Sequence, residues 1–177
     1  ASTICYVYCC MYIKKINKED LSSCFEIYQE GLRTGIASFQ DPSITLDEFN
    51  TKVDLDKCLV IEVNQKIKGY AFFAKASNRC VYDGVGEVSI YLSKDITGKG
   101  YGQKLLNELI RFSEDLGFWS LHAMIFPYNT RSIKLHEKCG FRVLGVREKI
   151  GKMTYGPYFN QWIDNVYMER RSSKFKD

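Results

Sequence analysis

The run Glu87-Val-Ser-Ile-Tyr-Leu-Ser-Lys-Asp-Ile-Thr-Gly-Lys-Gly-Tyr-Gly102 joins two hydrophobic periods across a cluster of glycines. Gly86–Leu92 is rich in alternating apolar residues, which predicts a strand. Gly102–Leu116 sets Leu105, Leu109, Phe112 and Leu116 on one stripe and turns Lys104, Glu108 and Arg111 away, which predicts an amphipathic helix ended by Gly117. Between them Ser93–Gly102 is a loop with three glycines near its end. Glycines let successive N–H groups converge on one point, and a helix start adds partial positive charge. Such a turn is an anion nest suited to a diphosphate. Lys99 adds a mobile counter-charge.

Two other readings compete for these glycines. A dinucleotide fingerprint belongs early in a βαβ unit, with an acid about twenty residues on. Here the loop lies mid-chain, the next strand Leu121–Phe126 ends without an acid, and no Walker lysine–hydroxyl pair is present. A plain flexible turn would not need the long amphipathic helix behind it.

The rest of the chain predicts a strand at Tyr12–Ile16 and a helix capped by Asn17 and answered by Asp20. Leu21, Cys24, Phe25, Tyr28 and Leu32 mark that helix's buried face. A loop Thr34–Pro42, a short helix Thr45–Lys52, strands Cys58–Val63 and Ile67–Ala76, helix Thr130–Cys139 and strands Phe141–Lys149 and Trp162–Glu169 complete the order. That order predicts an α/β layer fold with a mixed sheet flanked by helices. With 177 residues, 45% of them hydrophobic, the chain suits one domain: 11–171, preceded by an extension at 1–10 and followed by a polar tail at 172–177.

Charge and cysteine usage exclude several classes. The net charge is +4 with no concentrated basic face, so a nucleic-acid partner is not expected. The locally basic Arg170–Lys176 reads as a solvated end. Ala1–Cys10 is apolar but too short to span a bilayer, and no membrane partner is expected. Cys24, Cys58, Cys80 and Cys139 sit singly, as small hydrophobes do in a reducing compartment, so the expected location is cytoplasmic. Cys5, Cys9 and Cys10 lack the second ligand pair that a structural zinc needs, and no metal is expected.

Thr97-Gly98-Lys99-Gly100-Tyr101-Gly102 resembles the diphosphate loop Q/R-x-x-G-x-G/A of the GNAT superfamily of N-acetyltransferases, without the usual Gln or Arg at its start. Downstream, Asn129-x-x-Ser132-x-x-Leu135-His136-Glu137-Lys138-Cys139-Gly140-Phe141 is similar to that superfamily's second motif. Ile27–Phe39 and Tyr155-Gly156…Trp162-x-Asp164 resemble the phosphinothricin and methionine sulfoximine acetyltransferases within it. Where those enzymes often carry R-x-R, this chain has Ser77 and Arg79, and their W-H-D is Trp162-Ile163-Asp164.

The resemblance implies a GNAT-like fold, acetyl-CoA as acetyl donor, and a small-molecule amine as acceptor. A homodimer is implied too. It assigns cofactor contacts to Ile90, Tyr91, Leu92, Gly98, Lys99, Gly100, Tyr101, Gly102, Gln103, Asn129 and Ser132, substrate contacts to Phe39, Arg79 and Tyr82, and catalysis to Glu87 and His136. Acetyl transfer to an amine needs a neutral amine, a held carbonyl, a stabilised oxyanion and a proton for the thiolate. Glu87 takes the place of the base, though an exposed strand carboxylate is the plainer reading. Backbone N–H of Ile90 or Leu92 takes the place of the oxyanion donor. His136 stands where a tyrosine often protonates the thiolate, and a merely structural helical histidine is the alternative. Asn129 also reads as an ordinary N-cap, and the aromatics as core. His122, on a core strand with no evident partner, reads as structural. Acetylation of another amine (polyamine, aminoglycoside, protein N-terminus) and cofactor binding without turnover remain open.

Overall fold

The computed structural model describes residues 10–176. The proposed extension therefore lies outside the described residues except at Cys10, whose carbonyl accepts the Asn64 N–H at 3.0 Å. Seven strands form one sheet in the order β1-β2-β3-β4-β5-β7-β6: β1 Met11–Lys15, β2 Cys58–Val63, β3 Lys66–Lys75, β4 Val85–Leu92, β5 Ser120–Ile125, β6 Arg142–Lys152 and β7 Trp162–Arg171. Among the described residues only β4 and β5 pair in parallel. Parallel neighbours need a crossover, and α3, Tyr101–Asp115, supplies it.

Two helices cover the other face over β2–β4. Asn17 N donates to Asp20 Oδ2 at 2.9 Å, one 3₁₀ turn forms, and α1 follows at Leu21–Leu32, burying Cys24, Ile27, Tyr28 and Leu32. Thr45 and Glu48 cap α2, Leu46–Lys52, reciprocally at 3.2 and 2.7 Å. The core is thus split by the sheet, because side chains alternate faces along each strand. Ile61, Ala71, Phe73 and Val88 belong to the α3 side, whereas Val60, Tyr70 and Tyr91 pack with α1 and α2.

Three expectations need correction. Leu116 is the C-cap of α3 and is exposed; Ser113 occupies the buried row instead, its hydroxyl donating to Ile110 O at 2.7 Å. β6 runs past Lys149 to Lys152, because Lys149 turns with φ 47° and its N–H donates to Asp164 Oδ1 at 2.7 Å, after which pairing with β7 resumes at Gly151. The basic end is docked rather than solvated at its start. Arg170 and the Ser172 hydroxyl both donate to Glu114, at 3.1 and 2.7 Å, and Ser172 is buried.

Candidate active site

The loop into α3 is shaped by two left-handed glycines. Gly98 has φ +76° and Gly100, the N-cap of α3, has φ +83°, a region that non-glycine residues rarely adopt. A Cβ at either position would meet nothing within 4 Å, so open space lies in front of both. Gly102 differs. A Cβ there would come within 2.8 Å of Leu92 and 3.2 Å of Leu135, so its role is to seat α3 close against β4 and α4 (Thr130–Lys138). First-turn amides such as those of Gly102 and Gln103 have no carbonyl within the helix to donate to. The loop is pinned from outside: Lys94 N donates to Glu30 Oε1 at 3.0 Å, and Lys68 Nζ to Asp95 Oδ2 at 2.6 Å. That lysine bond, first among the causes, draws the Asp95 carboxyl down to about 2. Lys99 is exposed beside the opening.

Next to this loop the sheet parts. β4 and β5 pair from Val85↔Ser120 to Glu87↔His122 and no further, although β4 continues to Leu92 and β5 to Ile125. The direction of the unpaired amides follows from alternation along the strand. Ser93 N bonds to Lys68 O and the Val85 carbonyl to Ala76 N, so odd-numbered residues of β4 turn their main chain to β3. Even-numbered ones turn the other way, as the Gly84 carbonyl bound by Trp119 N and Ser120 N confirms. The N–H groups of Ile90 and Leu92 therefore face the gap. The ring of Tyr91 points to the α1 side, stacked on Tyr70 at 5.5 Å and edge-on to Tyr28 at 5.0 Å, and burial pushes its hydroxyl pKa well up.

Glu87 sits at the head of this gap with its side chain 42% exposed, on the sheet face away from α3. Its Oε2 lies 3.7 Å from His122 Nε2. That corrects the reading of His122 as a residue without a partner. The two are far apart in sequence, and the register across β4–β5 was needed to see it.

Asn129 caps α4 by accepting Ser132 N at 3.3 Å through Oδ1, so its amide NH₂ is not used in the cap. The His136 ring is 2% exposed, edge-on to Phe141 at 5.0 Å, and its Nδ1–H donates to the Ser132 carbonyl at 2.7 Å. Nε2 is buried without a hydrogen-bond partner among the described residues. Burial holds the imidazole pKa below its usual value. In this neutral form the one N–H is committed to the helix, and the free nitrogen offers a lone pair rather than a proton.

The three expected substrate contacts are not brought together. Arg79 lies over the Tyr82 ring at 5.5 Å, both exposed, just before the start of β4. Phe39 packs on Phe126 at 4.6 Å and close under Gly151, beyond the far end of β5. Because β4 and β5 run in parallel, these lie at opposite ends of the two strands. Phe39 lies in a loop held by Tyr155 Oη donating to Ser38 O at 2.8 Å, a tie that no local pattern in the sequence announces.

The family model described as Acetyltransferase (GNAT) family matches residues 19–141. The chain is 32% identical to a phosphinothricin N-acetyltransferase of Alcaligenes faecalis over 92% of its own length and 83% of the relative's. It is 28% identical to an L-methionine sulfoximine/L-methionine sulfone acetyltransferase of Salmonella typhimurium, covering 90% and 93%. A solved GNAT phosphinothricin acetyltransferase of Sinorhizobium meliloti in complex with acetyl-CoA superposes with TM-score 0.82 at 28% identity, covering 94% of this chain and 92% of that one.

Proposed function

The chain belongs to the GNAT acetyltransferase family, and on that premise we propose that it acetylates the α-amine of a small amino acid of the phosphinothricin or methionine sulfoximine kind. It is an acetyl-CoA-dependent N-acetyltransferase. The observation that carries the reading is the conjunction of two backbone features: the open space before the left-handed glycines 98 and 100, and the adjoining gap between β4 and β5. Gly98, Lys99, Gly100, Tyr101, Gly102 and Gln103 hold the diphosphate, with main-chain amides as the donors. Ile90, Tyr91 and Leu92 line the gap on the β4 side, and Asn129 and Ser132 border it from α4. A peptide-like arm laid along β4 there would bond as an added strand does.

Acetyl-CoA supplies an activated acetyl group as a thioester. The protein's own contribution starts with Glu87, which takes a proton from the incoming ammonium, directly or through water, so that nitrogen has a lone pair to attack with. The Ile90 and Leu92 amides face the gap and stabilise negative charge developing on a carbonyl oxygen. Protonating the thiolate by way of His136 requires its buried Nε2 to be charged first, and burial opposes that. Arg79 is the cation available to an acidic substrate group, with Tyr82 beneath it, and Phe39 borders the far end.

A reducing compartment such as the cytoplasm suits the free thiols of Cys24 and Cys139, which burial pushes up to about 12 and about 11. Among the described residues no helix is long and apolar enough to cross a membrane. A homodimer through β6 suits that strand's exposed Val143, Leu144, Val146 and Ile150.

The test is thiol release from acetyl-CoA with a panel of amino acids, polyamines and aminoglycosides. Turnover is expected with phosphinothricin or methionine sulfoximine at a kcat/KM at least about tenfold above the other amines. Tight CoA binding without release on any amine would instead make the chain a binding module.

A further inference from the structure

We propose that His122 is the positioning residue of the base: neutral, it holds the Glu87 carboxylate at the head of the gap, and protonated, it claims that carboxylate as an ion pair and takes it out of service. The inference rests on Glu87 being the base.

The geometry comes from one row across the sheet. Ala74, Glu87, His122, Glu169 and Arg142 are successive register partners on β3, β4, β5, β7 and β6. Register partners share a face, so His122 stands between two carboxylates. Glu169 is already paired, its Oε2 3.0 Å from Arg142 Nη2. On the same face Tyr167 of β7 lies beside the imidazole, ring to ring at 5.3 Å, and Arg147 of β6 turns to Met124 Sδ at 3.5 Å. β3 contributes only the methyl of Ala74 to the row. That leaves Glu87 as the carboxylate with no cation of its own in the row, and its Oε2 is 3.7 Å from His122 Nε2.

The two side chains are unequal. His122 is 13% exposed and fixed among its strand neighbours, whereas Glu87 is 42% exposed and free to swing. A fixed imidazole edge 3.7 Å away restricts where a mobile carboxylate can sit, and rate depends steeply on such placement. The pair also marks the last rung of β4–β5 pairing, so it lies where the strands begin to part. A charge gained on His122 falls on the one group that must stay free to accept a proton. Imidazole is the side chain whose charge ordinarily changes between about pH 5 and 8, which sets the range of the test.

The test compares wild type, His122→Gln, His122→Phe, Glu87→Gln and the double variant Glu87→Gln/His122→Phe, with one amine at saturating acetyl-CoA. The ratio of variant to wild-type kcat/KM is followed from pH 5.5 to 8.5, so that the amine's own titration cancels. For either His122 variant the ratio is expected at about 0.1 at pH 8, rising at least about fivefold by pH 5.5, with the KM for acetyl-CoA unchanged. The double variant is expected within about threefold of Glu87→Gln alone, as partners acting as one unit are not additive. A ratio that stays flat with pH, whatever its level, makes His122 merely structural and overturns the proposal. A Glu87→Gln enzyme as fast as wild type removes the base itself, a separate failure that the His122 ratios do not mimic. His122→Gln, which keeps a polar side chain of similar reach, carries the result if the Phe variant melts early.

Discussion

The two sides of the gap are built by different means. The proposed donor side, from Ile90 to Gln103, is main chain: two positive-φ glycines, the start of a helix and the turned-out amides of one strand. Its parts follow one another in the sequence. The proposed acceptor side is side chains: Glu87 and His122 meet only through strand register, and Arg79, Tyr82 and Phe39 come from segments outside the sheet. Backbone geometry tolerates exchange of most neighbouring side chains. A site assembled by register does not, since each residue is there on account of its position in another strand.

Three substitutions sharpen this contrast. Gly100→Val has the largest expected effect. The residue would have to adopt φ +83° with a β-branched side chain, and its methyls would fill the space in front of the loop. Acetyl-CoA affinity is expected to fall by more than about 100-fold in calorimetry, with amine-site residues untouched. Glu87→Gln comes next and acts on the other side only: kcat at neutral pH is expected to fall by about 10² with acetyl-CoA affinity unchanged. A loss of both together would mean that the two sides are not separable.

The smallest effect belongs to His136, which lies under the donor side and is read through stability. Its folded-state pKa is depressed by burial, so the unfolded chain binds the proton more readily. The unfolded state then holds more protons as pH falls below the ordinary imidazole range of about 6.5, and stability drops there. Wild-type melting temperature is expected to decline from pH 7 to pH 5.5, and His136→Phe to flatten that decline while activity changes less than in Glu87→Gln. A His136→Phe protein with an undiminished pH slope would place the acid sensitivity elsewhere.

The local conformation of the proposed donor side was legible in the sequence, and the register that assembles the other side was not. Gly98, Gly100 and Asn129 could be found because their conformational needs are local: left-handed turns and a helix cap. The strand and helix order could be found from period, except where tertiary structure prevailed. Lys149 turns left-handed with Asp164 bonded to its amide, which carries β6 beyond the break that its sequence suggests. Arg170 and Ser172 dock because Glu114 waits on a distant helix. The partner of His122 was not legible for the same reason. It lies well upstream on a neighbouring strand, and only the register Glu87↔His122 brings the two within 3.7 Å.

The central claim is that main-chain amides at the start of α3 grip the diphosphate of coenzyme A. Calorimetry of the wild-type protein with coenzyme A and with pantetheine, which keeps the arm and thiol but lacks the diphosphate, tests it most directly. Coenzyme A is expected to bind at least about 100-fold more tightly, a difference of about 2.7 kcal/mol. Equal affinity for the two would contradict the account.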